Sequence, residues 1–263
     1  AETAPPRVAY PPLPPPHAMP RRRPAATAVA VALVAALPLG AQAGRPTPQE
    51  LFDRHARAVG GYEAWARVTT REDVGTAIVD GDTARVTMRW AAPRRWALVY
   101  DFRDTTQVWN GYDGRVAWYE NGMGGARVSG VDSLAYAVTA DLVGSLAPAG
   151  SPLVERAEVV GAEVVNGEAT WRVRVVHPGG TERAWFFSQA TGRRVAEIVP
   201  NSSGARTITV KAWRTVDGLA VPVHWTVASP ATTREFRIDT VRFGLALDDA
   251  LFRAPKIEDA YDP

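Results

Sequence analysis

Few residues in this sequence carry obvious chemistry, and they are scattered. Of the four histidines, three follow residue 43: His55, His177 and His224. No H-x-x-x-H or H-E-x-x-H spacing joins them, so neither a zinc pair nor a metalloprotease helix is encoded. Glu72-Asp73 and Asp248-Asp249 put carboxylates side by side, but neighbours on a strand point to opposite faces and cannot flank one bond. Asp248-Asp249 instead suits the start of a short helix leading into Leu251-Phe252. There is no G-x-S-x-G nucleophile elbow and no G-x-x-x-x-G-K-[ST] phosphate loop. The glycine-rich run NGMGGARVSG, Asn121 to Gly130, lacks the strand-turn-helix setting of a phosphate cradle and reads as a loop. The chain contains no cysteine, which excludes disulfides, thiol chemistry and Cys-ligated metal. The expectation is a protein without catalytic residues, metal or cofactor.

What the sequence has in quantity is tryptophan, nine residues of it, spaced along alternating segments. Val86/Met88/Trp90, Trp96/Leu98/Tyr100/Phe102, Trp171/Val173/Val175, Trp185/Phe187 and Val221/Val223/Trp225/Val227 each fall on one face of a strand. Arg85/Thr87/Arg89 and Arg172/Arg174 lie opposite, the pattern of an antiparallel sheet with one dry face. Turn dipeptides punctuate the strands at Asp80-Gly81, Asn110-Gly111, Asp113-Gly114, Asn166-Gly167, Gly179-Gly180, Thr191-Gly192, Ser203-Gly204 and Asp217-Gly218, and predict hairpins in a meander.

Helices must cover the dry face. Thr47 and Glu50 form a capping-box signature with Pro48 at the first helical position, and Gly60-Gly61 ends that helix; Tyr62 and Trp65 lie on a short second turn. Leu134, Val138, Leu142 and Leu146 recur at i, i+4 and predict a helix within Gly130 to Pro152, N-capped by Asp132 and stopped before Pro148. The fold class expected is mainly β with helices, a curved antiparallel half-barrel of about eleven strands covered by lid helices. If the helices fill the space the interior is solid; if they only roof it, a cavity remains.

The N-terminal residues carry a different signal. Met19 to Gly44 has Arg21 to Arg23, an apolar stretch from Ala25 to Leu39 and Ala41/Ala43 in A-x-A spacing, the pattern of a secretory signal cleaved after Ala43. Residues 1–18, proline-rich and without an initial Met, are expected to be a non-native upstream extension or a Pro-rich tract, and residues 44–263 a single domain. The net charge of +2 belongs to the leader. Without Arg7, Arg21, Arg22, Arg23 and Glu2 it becomes −1, so the basic footprint of a nucleic-acid binder is missing. The expected location is the periplasm, without a membrane span.

Several stretches together resemble the periplasmic outer-membrane lipoprotein-sorting proteins, the LolA/LolB-like carriers. DGRVAWYENG is similar to that family's DGKTLW-Y-NP strand, and RWAAPRRWALVYDF to its P-x-x-F-x-W/V strand. RAVGGYEAW, VDGLAVPVHW and DDALFRAP resemble the broader superfamily, and the resemblance spans Thr47 to Pro255. It implies a half-barrel roofed by helices around an apolar cavity that shields acyl chains. One departure is that Ala92 precedes Pro93, where the carriers place a basic residue that ties down the lid; Arg94 or Arg95 would have to substitute.

Any one buried aromatic ring contributes about 2 to 3 kcal/mol as plain core, so a functional reading rests on the set. The expected cavity lining is Trp90, Trp96, Leu98, Tyr100 and Trp118, with Trp171, Trp185 and Trp225 from later strands. Leu134, Val138 and Leu142, with the first helix, would form the lid. The expected partner is a lipid or lipoprotein acyl chain, with a membrane-bound donor or receptor beyond it, and the expected state is a monomer. Two other classes fit the same residues: a sensory or interaction module binding a protein through its strand edges, and a hydrolase using His224 near an acid inside the cavity.

Overall fold

A computed structural model describes residues 44–103, 107–121, 124–128, 130–144, 146, 151–202, 204–230 and 232–254, within one compact unit, Ala43–Pro263. The expected leader and upstream tract lie outside the described residues. Helix α1 (Pro48–Ala58) begins with the full capping box: the Thr47 hydroxyl accepts from the Glu50 backbone N–H, and the Glu50 carboxylate accepts from that of Thr47. Leu51, Phe52, His55 and Ala56 form its buried face. After Gly60-Gly61 comes the short α2 (Tyr62–Ala66), which buries Trp65.

Among the described residues thirteen antiparallel strands follow, rather than about eleven. In the first half they are β1 (Thr70–Val79), β2 (Asp82–Ala91), β3 (Arg95–Phe102), β4 (Gln107–Tyr112), β5 (Ala117–Asn121) and β6 (Gly124–Val128). Helix α3 (Gly130–Ala140) intervenes. Then come β7 (Arg156–Val165), β8 (Glu168–Val176), β9 (Glu182–Ser188), β10 (Arg194–Asn201), β11 (Gly204–Val216), β12 (Leu219–Ala228) and β13 (Thr233–Phe243), and a closing 3-10 turn at Asp249–Phe252. One sheet holds them all in the order β6-β5-β4-β3-β2-β1-β13-β12-β11-β10-β9-β8-β7. The first meander and the second are joined where β1 pairs with β13, and the sheet stays open, with β6 and β7 as its edges.

Turn chemistry sets much of this register. Asp80-Gly81, Asn166-Gly167 and Asp217-Gly218 all have positive φ at both residues, the two-residue hairpin geometry that matches strand twist. Asn110-Gly111 is different: it lies inside β4. Gly111 sits opposite Trp118 of β5, and a Cβ there would come within 2.3 Å of the indole ring. The glycine makes room for a ring instead of turning the chain. The glycine-rich run expected to be a loop is in part the edge strand β6, paired to β5 from Asn121↔Gly124 to Ala117↔Val128.

The third helix also differs from its i, i+4 reading. It stops at Ala140, so Leu142 and Leu146 lie beyond it, and Asp132 is inside it rather than its cap. The stop coincides with two bonds made by one side chain just past it. Asp141 accepts from the Gly144 backbone N–H (2.8 Å) and the Ser151 hydroxyl (3.1 Å), and such side-chain bonds draw the backbone out of a helix.

Candidate functional site

The two helices treat the inner face of the sheet differently. Over β7 to β9, α1 fills the space: Phe52 meets Trp185 edge-on at 5.9 Å and Phe187 at 5.7 Å, and Leu51, Val173 and Val175 complete a solid cluster against which Trp171 packs. Helix α3 spans the other half as a roof. Trp90 donates to the Thr139 carbonyl (3.0 Å), Tyr136 donates to Asn110 Oδ1 (2.7 Å) and Trp96 meets the Tyr136 ring edge-on at 5.4 Å. At its other end Asp132 accepts from the Ser202 backbone N–H at 3.4 Å.

Under this roof is a cavity of about 350 Å³, within the range of small-molecule sites. Its walls come from β1 to β4 and from β9 to β13. Strands that far apart in the sheet can share one cavity only if the sheet is strongly curved. Register shifts at Val74/Gly75 and between Val210 and Trp213 are the kind of bulge that bends strands.

Of the residues expected in the lining, Trp90, Trp96, Leu98, Tyr100, Val138, Leu142 and Trp225 line this cavity. Leu134 is half-buried one turn earlier on α3 and does not. Trp171 and Trp185 belong to the solid cluster under α1. Trp118, 2 % exposed, packs away from the cavity: its indole N–H donates to the Phe252 carbonyl (3.2 Å), so it lies beneath the closing 3-10 turn. Phe252 also packs with Ala91 and Ala97.

The remaining sequence candidates lie apart from this lining or are silent. His224 does meet an acid, Glu235, at 2.9 Å. Neither residue lines the cavity, and Glu235 also holds Arg237 at 2.7 Å. His177 is buried against the Leu153 carbonyl. His55 reaches the cavity edge, but its Nδ1 accepts from the Arg194 backbone N–H (3.2 Å) and burial brings its pKa down to about 3, with Arg194 and Arg193 acting in the same direction. Arg95 is tied to Asp249 at 2.5 Å and lies over the Phe252 ring at 5.1 Å. It is therefore committed to the closing turn rather than to the roof.

Sequence reasoning missed the polar wall of the cavity. Five arginines line it, Arg71, Arg183, Arg194, Arg206 and Arg234, against three carboxylates, Asp73, Asp141 and Glu197. Arg71 and Asp73, i and i+2 on β1, form a two-bonded buried pair at 2.8 and 2.5 Å, and the guanidinium lies 4.8 Å from the Trp90 ring and 5.9 Å from that of Trp65. Burial pushes the Asp73 carboxyl above its usual range against the pull of Arg71. Glu197 is shared by Arg183 and Arg194, both at 3.4 Å. Burial lowers Arg183 to about 10, with Glu197 opposing and Arg206 and Arg194 adding to the fall; it remains a cation at neutral pH. Burial also raises Tyr136 to about 12 and Tyr100 above its ordinary value. A signal for this wall was present: Arg183 alternates with Trp185 and Phe187, and Arg234 with Phe236 and Ile238, arginine at the inward parity of apolar strands.

No protein-family model matches the sequence, and no curated protein does. Solved structures do match the fold. A DUF1329 family protein from Desulfovibrio piger aligns with a TM-score of 0.54 at 12 % identity, over 78 % of this chain and 96 % of its own. A putative outer membrane lipoprotein-sorting protein domain from Vibrio parahaemolyticus gives 0.53 at 13 %, over 78 % and 98 %. A LolA superfamily protein from Nitrosomonas europaea gives 0.52 at 10 %, over 80 % and 98 %. An open, curved antiparallel sheet roofed by helices is what the chain shares with them, and its fold is that of the LolA-like proteins.

Proposed function

We propose that this protein is a periplasmic carrier or binding protein that shelters the acyl chain of a lipid or lipoprotein between the inner face of the sheet and α3. The observation that carries this reading is the roofed cavity: beside its polar wall stands an aromatic and aliphatic one, Trp90, Trp96, Leu98, Val138, Leu142 and Trp225, that offers contiguous apolar area. That wall suits a chain that needs only to be removed from water. The fold shared with a lipoprotein-sorting protein domain supports the same class, and among the described residues no helix is long and apolar enough to cross a membrane. The leader-like segment at residues 19–43 gives the proposed location.

Native mass spectrometry of protein purified without detergent, with lipid extraction of the same sample, tests it. A reproducible one-to-one lipid or acylated-peptide adduct is expected. A bare mass that also fails to take up phospholipid or acylated peptide would reject the carrier.

A second reading has its own observation. The edge strand β7 exposes Val160 at 46 % and Val164 at 67 %, and an unpaired edge with exposed apolar side chains can receive a strand from a protein partner. A stoichiometric protein partner recovered with an unfilled cavity, and lost on Val164→Lys, would favour that module over the carrier.

A further inference from the structure

The arginines at one end of the cavity have no assigned role in holding an acyl chain, and their pairing within the protein is incomplete. Arg183 is only 5 % exposed, and its Nε has no hydrogen-bond partner among the described residues; the same is true of the buried Nε atoms of Arg206 and Arg234. A buried donor left unmade costs about 1 to 3 kcal/mol, and more when charged. Internal partners do not remove the deficit. Glu197 already divides itself between Arg183 and Arg194 at 3.4 Å. Arg234 reaches the Tyr100 hydroxyl at 3.5 Å. Among the described residues no carboxylate lies within ion-pair distance of Arg206 or Arg234.

Register brings these cations together. Arg206 on β11 is opposite Val199 of β10, and Ala184 is opposite Ile198, so Arg183, one step back on β9, and Arg206 flank Val199 in one cross-strand row. Adjacent strands lie about 4.8 Å apart, which leaves two long side chains room to converge above Val199. Arg234 on β13 is opposite Val227, itself opposite Ile208, two residues along the strand from Arg206. Arg206 is also close enough to act electrostatically on Arg183, Tyr100 and Tyr136.

We propose that Arg183, Arg206 and Arg234 form a head-group site, and that the cavity's ligand is an amphiphile with an anionic end, a carboxylate or phosphate ester, whose chain lies along Trp96, Leu98 and Trp225. The inference rests on the carrier reading and narrows its ligand class. Guanidinium forks bind such oxyanions through paired N–H donors, and the buried Nε atoms are donors of that kind. A neutral chain would leave Arg206 and Arg234 without a counter-charge and Arg183 with only the Glu197 carboxylate it shares with Arg194.

Calorimetric titration of the full chain with decyl phosphate, decanol and inorganic phosphate tests this. Decyl phosphate is expected to bind at least tenfold more tightly than decanol. The double variant Arg206→Gln/Arg234→Gln should erase that difference, with an unchanged circular dichroism spectrum and a cooperative urea transition showing that it is folded; Arg206→Lys/Arg234→Lys should restore part of it. Equal affinity for decyl phosphate and decanol in the wild type would overturn the head-group site and leave the carrier standing. Inorganic phosphate binding as tightly as decyl phosphate would assign the arginines to a free anion and overturn the amphiphile. Failure of both decyl compounds to bind would reject the carrier reading, and the head-group inference with it.

Discussion

His55 shows how one buried group can set acid sensitivity. Its ring is 4 % exposed, sits edge-on to Phe187 at 5.6 Å and accepts a backbone hydrogen bond from Arg194, so the folded state holds it neutral down to about pH 3. The unfolded chain takes up a proton near pH 6.5. Proton binding therefore favours the unfolded state between those values, and stability is lost as pH falls through that window, by about 1.4 kcal/mol per pH unit for this group. Urea unfolding at pH 6 and pH 4.5 should show that extra loss in the wild type and not in His55→Gln. The Arg71–Asp73 pair offers a second test at the same scale. Asp73→Ala leaves a guanidinium buried beside two indoles without its carboxylate, and should cost about 3 to 5 kcal/mol in chemical unfolding, whereas replacing both residues by apolar ones should cost much less.

Between elements, close approach and roofing decide the outcome. Gly111→Ala would drive a methyl group into the buried Trp118 ring, which is held by the Phe252 carbonyl, and should destabilise the protein by about 1 to 3 kcal/mol, read as a lower urea midpoint with an unchanged slope. Helix α3 meets the cavity through Val138. Val138→Phe places a ring where a chain would lie, so acyl uptake should fall at least tenfold while thermal stability is kept; unchanged uptake would mean that the chain does not lie under α3. The same elements explain what could be foreseen. The capping box of α1, the hairpins at Asp80-Gly81, Asn166-Gly167 and Asp217-Gly218 and the Asp248-led final turn are local chemistry, and local chemistry is readable. The end of α3 was not, because a bond donated to Asp141 by the Ser151 hydroxyl, ten residues on, overrides an unbroken i, i+4 pattern.

For the molecule as a whole, a ligand that binds only the folded state stabilises it by mass action, about 2.7 kcal/mol at one hundred times the dissociation constant. Saturating decyl phosphate should raise the melting temperature and, for amides that exchange by local opening, slow hydrogen exchange most in α3, in β2 to β3 and at the start of β9 around Arg183 and least in β7 and β8; local protection as large in β7 and β8 as in α3 would argue against a ligand under the roof. That division into a filled half and a roofed half was invisible in the aromatic pattern. Trp90, Trp171 and Trp185 have the same strand parity and the same apolar neighbours, yet Trp90 faces a cavity and the other two a helix. Alternation, capping and turn dipeptides by themselves determined an antiparallel sheet with one dry face and helices to cover it, since those signals act within a few residues. Which tryptophans share a cavity, and that arginines with unsatisfied Nε atoms gather at one end of it, only the tertiary structure decided. Both depend on how far the sheet curves and where two helices settle, which are contacts between residues distant in sequence.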